Sequence, residues 1–268
     1  MSRAVLTKFA LITIVRHTRL MTVSPATRRT RQRQATVAEI KALARRQLAA
    51  HGAAGVNLRA IAREMGTSSS ALFRYFPSYD DLISALLTDA YDALADALAA
   101  ARDRCPPGEH AARWFALCAA YRQWSLDHPA EFALTHGTPV PGYQAPLQAT
   151  GPAAGRTIQT ALGVYAAAVQ AGAADPARTA IPASVQTGPL WASILQDQAQ
   201  ASQPRLAGII LTAWASVIGY LSAEIFGSLT QLVTDTSHLY RAHVRTVMLG
   251  MGFSPDLAET AAAQPLSR

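Results

Sequence analysis

A single glycine between two short apolar stripes constrains this chain more than any other feature. Leu58, Ile61, Ala62 and Met65 recur at i, i+3, i+4 and i+7, which places them on one face of a helix. Asn57 stands where its side chain caps that helix. Gly66 follows the last apolar residue, where a left-handed backbone ends a helix without a Cβ clash. Ser68, Ser69 and Ser70 offer a cap for a second helix, whose Leu72, Tyr75 and Phe76 repeat the stripe until Pro77 stops it. Two short helices meeting at a sharp turn are expected, with Ser69, Ser70, Phe73 and Arg74 on the outer face of the second. A short polar and aromatic surface of this kind fits a major groove.

The same stretch resembles the N-terminal domain of the TetR family of bacterial transcriptional regulators, over about residues 36 to 83. The resemblance is carried by Asn57-Leu58-Arg59-Ala60-Ile61-Ala62, Gly66-Thr67-Ser68 and Phe73-Arg74-Tyr75-Phe76-Pro77-Ser78. It implies a three-helix DNA-binding unit, a homodimer, palindromic double-stranded operator DNA as partner, and a small-molecule effector that relieves repression. Asn57 and Arg59 are then expected to grip the DNA backbone, Ser68 to cap and touch phosphate, and Ser69 and Ser70 to meet bases or backbone. Arg74 either forks onto guanine or meets a phosphate. Phe73 stands where relatives often have tyrosine, and Tyr75 where histidine is common, which keeps a phosphate donor. Tyr79 replaces the usual lysine after Pro-Ser, exchanging a cation for a hydrogen-bond donor. Lys41, Arg45 and Arg46 are expected to add longer-range attraction.

Charge is distributed accordingly. Residues 1 to 80 hold 14 Lys and Arg against 3 acids, or +11, while the remainder holds 10 against 14, or −4. Basic charge thus gathers where phosphates would be met. Residues 1–35 read as a basic, disordered arm, since no apolar stripe accompanies their charge. Phe9–Val15 is too short for a signal peptide's apolar core or a membrane span, and Met21 is an alternative start of translation. No membrane association is expected.

The alanine-rich remainder, poor in β-branched runs, points to an all-α fold: the three-helix unit at 36–83, then a larger helical domain for ligand binding and dimerisation at 84–268. Helices are expected near 36–50, from Asp80 through Leu98, at 109–127, at 130–135, around 158–169, and at about 204–229 and 235–249. Residues 137–152 are rich in Gly and Pro and read as a loop. The aromatic set Trp114, Tyr121, Trp124, Phe132, Tyr165 and Trp191 lies at helical spacing, as core residues or as the lining of an apolar ligand pocket. Ala215, Gly219, Ala223 and Gly227 stand four apart, a small-residue groove suited to a dimer interface. The surroundings of Trp214 and Gly219 also resemble the C-terminal domain of the TetR subgroup named for a Trp-His-Gly signature, with Ile218 at the histidine's place.

No glycine-rich phosphate loop follows a strand, and the histidines lack metal-ligand spacing, so no enzyme, no cofactor and no metal are expected. His136 and His238 read as surface or packed side chains. Cys118 reads as a small buried hydrophobe and Cys105 as the more reactive thiol, in a reduced cytoplasmic protein. The alternative function is a helical small-molecule-binding protein whose basic half holds nucleic acid without sequence preference.

Overall fold

The computed structural model describes residues 25–137, 140, 142–180, 185–188, 191 and 204–263. Among these residues there is no strand, only an isolated bridge between Ala174 and Phe253. The helices are α1 (Pro25–His51), α2 (Leu58–Glu64), α3 (Ser69–Phe73), α4 (Tyr79–Arg104), α5 (His110–Asp127), α6 (Pro129–His136) and α7 (Leu147–Gln170). Beyond them come α8 (Pro204–Ile225), α9 (Thr236–Gly250) and α10 (Pro255–Ala262). The all-α expectation holds.

The chain divides into two compact units, Met1–Glu39 and Ile40–Arg268. In the first unit, residues 25–39 are helical, so α1 starts well before the expected Thr36 and residues 25–35 do not form a disordered arm. Arg, Gln and Ala are good helix formers, and propensity alone sustains helix where no apolar stripe advertises it. Residues 1–24, with the Phe9–Val15 segment and Met21, lie outside the described residues.

In the second unit, α4 carries the expected ladder: Leu82, Leu86, Ala90, Leu94 and Leu98 are buried, with Ile83 and Leu87 beside them. Ser78 caps its start by accepting from the Asp81 N–H, while its own hydroxyl donates to the Asp81 carboxylate. Helix α7 packs along α4 and begins at Leu147, inside the stretch expected to be a loop. Pro152 removes one helical donor there, but it is exposed and lies in the second turn. Gly151, Ala153, Gly155 and Thr157 beside it are buried, so the small residues mark close helix contact rather than a turn.

The core of the helical domain is a cluster built from α4, α5, α7, α8, α9 and α10, with Phe132 of α6. Helix α8 is apolar enough over Leu206–Ile225 to pass as a membrane span by length and composition. Its Leu206, Ala207, Ile209, Ile210, Ala213, Val217 and Leu221 are buried within that core instead. At its end Glu224 receives a bidentate ion pair from Arg122 of α5, with Nε and Nη2 at 2.8 and 2.6 Å, and both side chains are buried. Helix α10 was not anticipated; Ser254 caps it and Pro255 opens it, and it packs on α5 and α9.

Candidate nucleic-acid interface and aromatic core

Helices α2 and α3 arise from the local signals that the sequence carries. Asn57 Oδ1 accepts from the N–H groups of Arg59 and Ala60 at 2.9 and 3.1 Å, and the Asn57 N–H donates to Gln47 Oε1 at 2.8 Å. The Asn57 carbonyl is therefore spent on the cap, leaving only its amide NH2 for a phosphate. Gly66 adopts φ +64°, and the Thr67 N–H donates back to the Ala62 carbonyl at 2.9 Å, closing α2. Ser68 Oγ caps α3 by accepting from the Ala71 N–H at 3.2 Å and lies 3.0 Å from the Ser70 hydroxyl.

Leu58, Ile61, Ala62, Leu72 and Phe76 are buried, which fixes α3 against α2 by its inner face. Outward stand Ser70, Arg74 and the Phe73 ring, with Arg59 exposed on α2; Ser69 and Tyr75 are half-buried at the edge. Phe73 is 38% exposed, an apolar ring held in water beside two polar side chains. Such a ring gains from contact with a thymine methyl.

Four expected contributors behave differently. The Tyr79 hydroxyl donates to the Ala53 carbonyl at 2.6 Å, tying the start of α4 to the turn before α2. In this arrangement its one hydroxyl proton is committed to that bond, and a phosphate, which offers only acceptors, meets no free donor at Tyr79. Burial, then the neighbouring Asp80, raises its pKa, so the donor stays in place. Lys41 and Arg45 both pair with Asp89 of α4, at 2.8 and 2.5 Å, and Arg46 pairs with Glu64. Their charge is largely neutralised at short range, and the Asp89 pairs join α1 to α4.

All six aromatic candidates in the helical domain are buried and belong to the same core cluster. The structure does not bring them into one ring. Trp114 and Tyr165 meet edge to face, with Phe253 against both. Farther along α5, Tyr121 lies against Trp214 at 5.0 Å, and Phe132 stacks on His136. Trp124 stacks on His128, and Trp191 is buried in the same cluster. The polar tips divide in two ways. The Tyr165 hydroxyl donates to the Met251 carbonyl at 2.6 Å, and the Tyr121 hydroxyl meets His136 Nε2 at 2.9 Å. The indole N–H groups of Trp114 and Trp124 are buried and meet no hydrogen-bond partner among the described residues.

Burial lowers the His136 pKa to about 4, so its ring is neutral at neutral pH. The Thr135 hydroxyl donates to the Glu131 or Phe132 carbonyl, which assigns the ring proton to Nδ1, donating to Thr135, and leaves Nε2 to accept from Tyr121. His136 is a packed histidine, as its sequence context implies, and Tyr121–His136–Thr135 is a polar chain that spacing did not reveal. Cys118 is buried and its thiol pushed up to about 12, which suits a small hydrophobe. Burial also raises the Cys105 thiol, so it is not an activated nucleophile.

The small-residue stripe is real on α8 but shorter than expected. Ala215 and Gly219 are exposed, and a Cβ on Gly219 meets nothing within 4 Å. Ala223 is half-buried. Gly227 lies past the helix end with φ +86°, and the Leu229 N–H donates to the Ala223 carbonyl at 3.0 Å. It therefore closes α8 and lines no groove.

Residues 40–86 match the family model for bacterial regulatory proteins of the tetR family, and residues 114–247 match that for a tetracyclin repressor-like C-terminal domain. The HTH-type transcriptional regulators Rv1816 of Mycobacterium tuberculosis and Mb1846 of Mycobacterium bovis are each 36% identical over 217 residues, covering 81% of this chain and 92% of their own length. The solved structure of SCO4313 is similar with a TM-score of 0.62 and 32% identity, over 82% of this chain and 98% of that one. A Rhodococcus protein at 24% identity shares the fold with a TM-score of 0.61, over 81% and 95% of the two chains.

Proposed function

The chain belongs to the TetR family of transcriptional regulators, with a C-terminal domain of the Trp-His-Gly type, and on that premise we propose that it is a repressor that holds a palindromic operator as a homodimer and releases it when an apolar small molecule enters its helical core. Members of this family regulate transcription and are not enzymes. The observation that carries the proposal is the outer face of α3, where Ser70, Phe73 and Arg74 are exposed on a helix fixed from behind by Leu72 and Phe76. That face enters the major groove. Arg74 and the serines meet base edges or phosphates, Phe73 packs on thymine methyls, and Arg59 and Tyr75 hold the backbone.

Two-fold operators need a two-fold protein. The exposed Leu211, Ala215 and Gly219 face of α8 supplies the second copy's contact, with Ala223 at its edge. Effector binding falls to the aromatic core, where the partnerless indole N–H groups of Trp114 and Trp124 are donors that an oxygen-bearing apolar ligand satisfies. Ligand entry biases the domain toward an arrangement in which the two α3 helices no longer match successive major-groove faces. The protein works in the cytoplasm, where its operator is.

The test is a gel mobility shift with DNA from just upstream of the protein's own gene, in excess competitor. A retained shift, weakened in Arg74→Ala, supports the reading. Equal competition by every sequence, fading alike as salt rises, points to binding without specificity.

A further inference from the structure

The first turns of α1 are not used by the site described above. Residues 25–38 hold Arg28, Arg29, Arg31 and Arg33 and no acid; the first is Glu39. Every residue from Thr27 to Ala35 is exposed. Before Val37 the only aliphatic side chains in the segment are those of Pro25, Ala26 and Ala35, so no stripe exists to seat it against a protein core. Arg28 and Arg31 are three apart and Arg29 and Arg33 four apart, which sets like charges side by side on two helical faces. A helix with mutual repulsion and nothing to bury is stabilised by a polyanion.

We propose that this arginine-rich segment is a second nucleic-acid surface, binding phosphates of duplex DNA and adding sequence-independent affinity to the sequence reading of α3. The inference rests on the regulator reading given above. Guanidinium groups suit phosphate oxygens because they donate in a fork. The segment of 14 residues is about 21 Å long at the helical rise, long enough to run past several phosphates of a duplex. An anionic membrane fits less well, because a helix lying in a bilayer surface needs a large apolar face opposite its charge.

The full chain is titrated with a fluorescent duplex of random sequence at increasing NaCl. The same is done after Arg28, Arg29, Arg31 and Arg33 are all changed to Gln, after all four are changed to Lys, and after Arg31→Gln alone. The wild-type plot of log affinity against log salt should be steeper than that of the Gln form by about 0.9 for each phosphate released, with the Lys form close to wild type and Arg31→Gln intermediate. Equal slopes in all four proteins overturn the proposal. So does arginine-dependent binding to phosphatidylserine vesicles accompanied by an unchanged DNA slope. The two readings fail separately. A chain with no preferred sequence but an arginine-dependent slope loses only the operator, whereas a preferred operator with an arginine-independent slope removes only the role given to this segment.

Discussion

Arg122 and Glu224 make the most consequential pair of side chains in the helical domain. Each is charged, each is buried, and Arg122 also reaches Thr236 Oγ1 at 3.3 Å and sits over the Tyr240 ring. Removing one partner strands the other's charge in the core. Arg122→Met should therefore cost about 3–5 kcal/mol in chemical denaturation, while pairing it with Glu224→Leu should recover most of that loss. A double variant no more stable than the single one would show that the pair does more than balance charge. His136 adds a pH dependence with a definite sign. Its folded pKa of about 4 lies below the ordinary 6.5, so the unfolded chain takes up a proton first as pH falls. Its contribution is complete above pH ~6.5 and is lost as pH drops toward 4, on the order of 3 kcal/mol in all. His136→Asn keeps an acceptor for Tyr121 but does not titrate, so its stability relative to wild type should improve between pH 7 and pH ~4. Denaturation midpoints that shift in parallel across that range would contradict this. On DNA, Arg74→Ala should cost about 1–3 kcal/mol and relax preference at one operator position if the fork reads a base, or weaken all sequences alike if it meets a phosphate.

At the scale of elements, α2 and α3 were legible because every local signal agrees: the Asn57 cap, the apolar stripe, Gly66 in the left-handed region and the Ser68 cap. Ser68→Ala should lower stability by about 1 kcal/mol through the lost cap. Gly66→Ala should cost a similar ~1 kcal/mol from backbone strain alone, because a Cβ there touches nothing within 4 Å. Thermal melts of the two variants check both. Elsewhere the signals are weaker or ambiguous. The early start of α1 is not legible in the sequence because Arg28 to Gln34 has helix propensity but no periodicity. The start of α7 read as a loop because Gly151, Pro152 and Gly155 look the same in sequence whether they mark a turn or let two helices approach closely. Helix α10 had a readable signature, Ser254 followed by Pro255 and Asp256, which its short length made easy to pass over. The aromatic residues were legible as buried, but periodicity does not distinguish a packed core from a ligand site; the unmet indole donors are visible only in three dimensions. The exposed part of the α8 stripe carries a prediction of its own: Gly219→Leu has room to fold and should shift the protein toward monomer in sedimentation. A fully dimeric variant would move the interface elsewhere.

At the scale of the whole molecule, α4 joins the proposed DNA-reading face to the helical domain. Its first residue, Tyr79, bonds to Ala53 in the turn before α2, and its Leu94 and Leu98 belong to the core of the helical domain. Lys41 and Arg45 clamp α1 to the middle of the same helix through Asp89. One continuous helix thus carries contacts at both ends, as the proposed ligand-dependent release of DNA requires. On the proposed reading, the basic residues 1–80 supply attraction to any duplex and the α3 face supplies choice among sequences. The proposed function stands on that choice, made by two copies at once. It is tested most directly by selecting bound sequences from a random duplex library with the full-length protein at physiological salt. The account predicts an enriched palindrome whose half-sites lie about one helical turn apart, or a multiple of it, and which Arg74→Ala no longer selects. Recovery of no enriched sequence, or of a motif without two-fold symmetry, would contradict it.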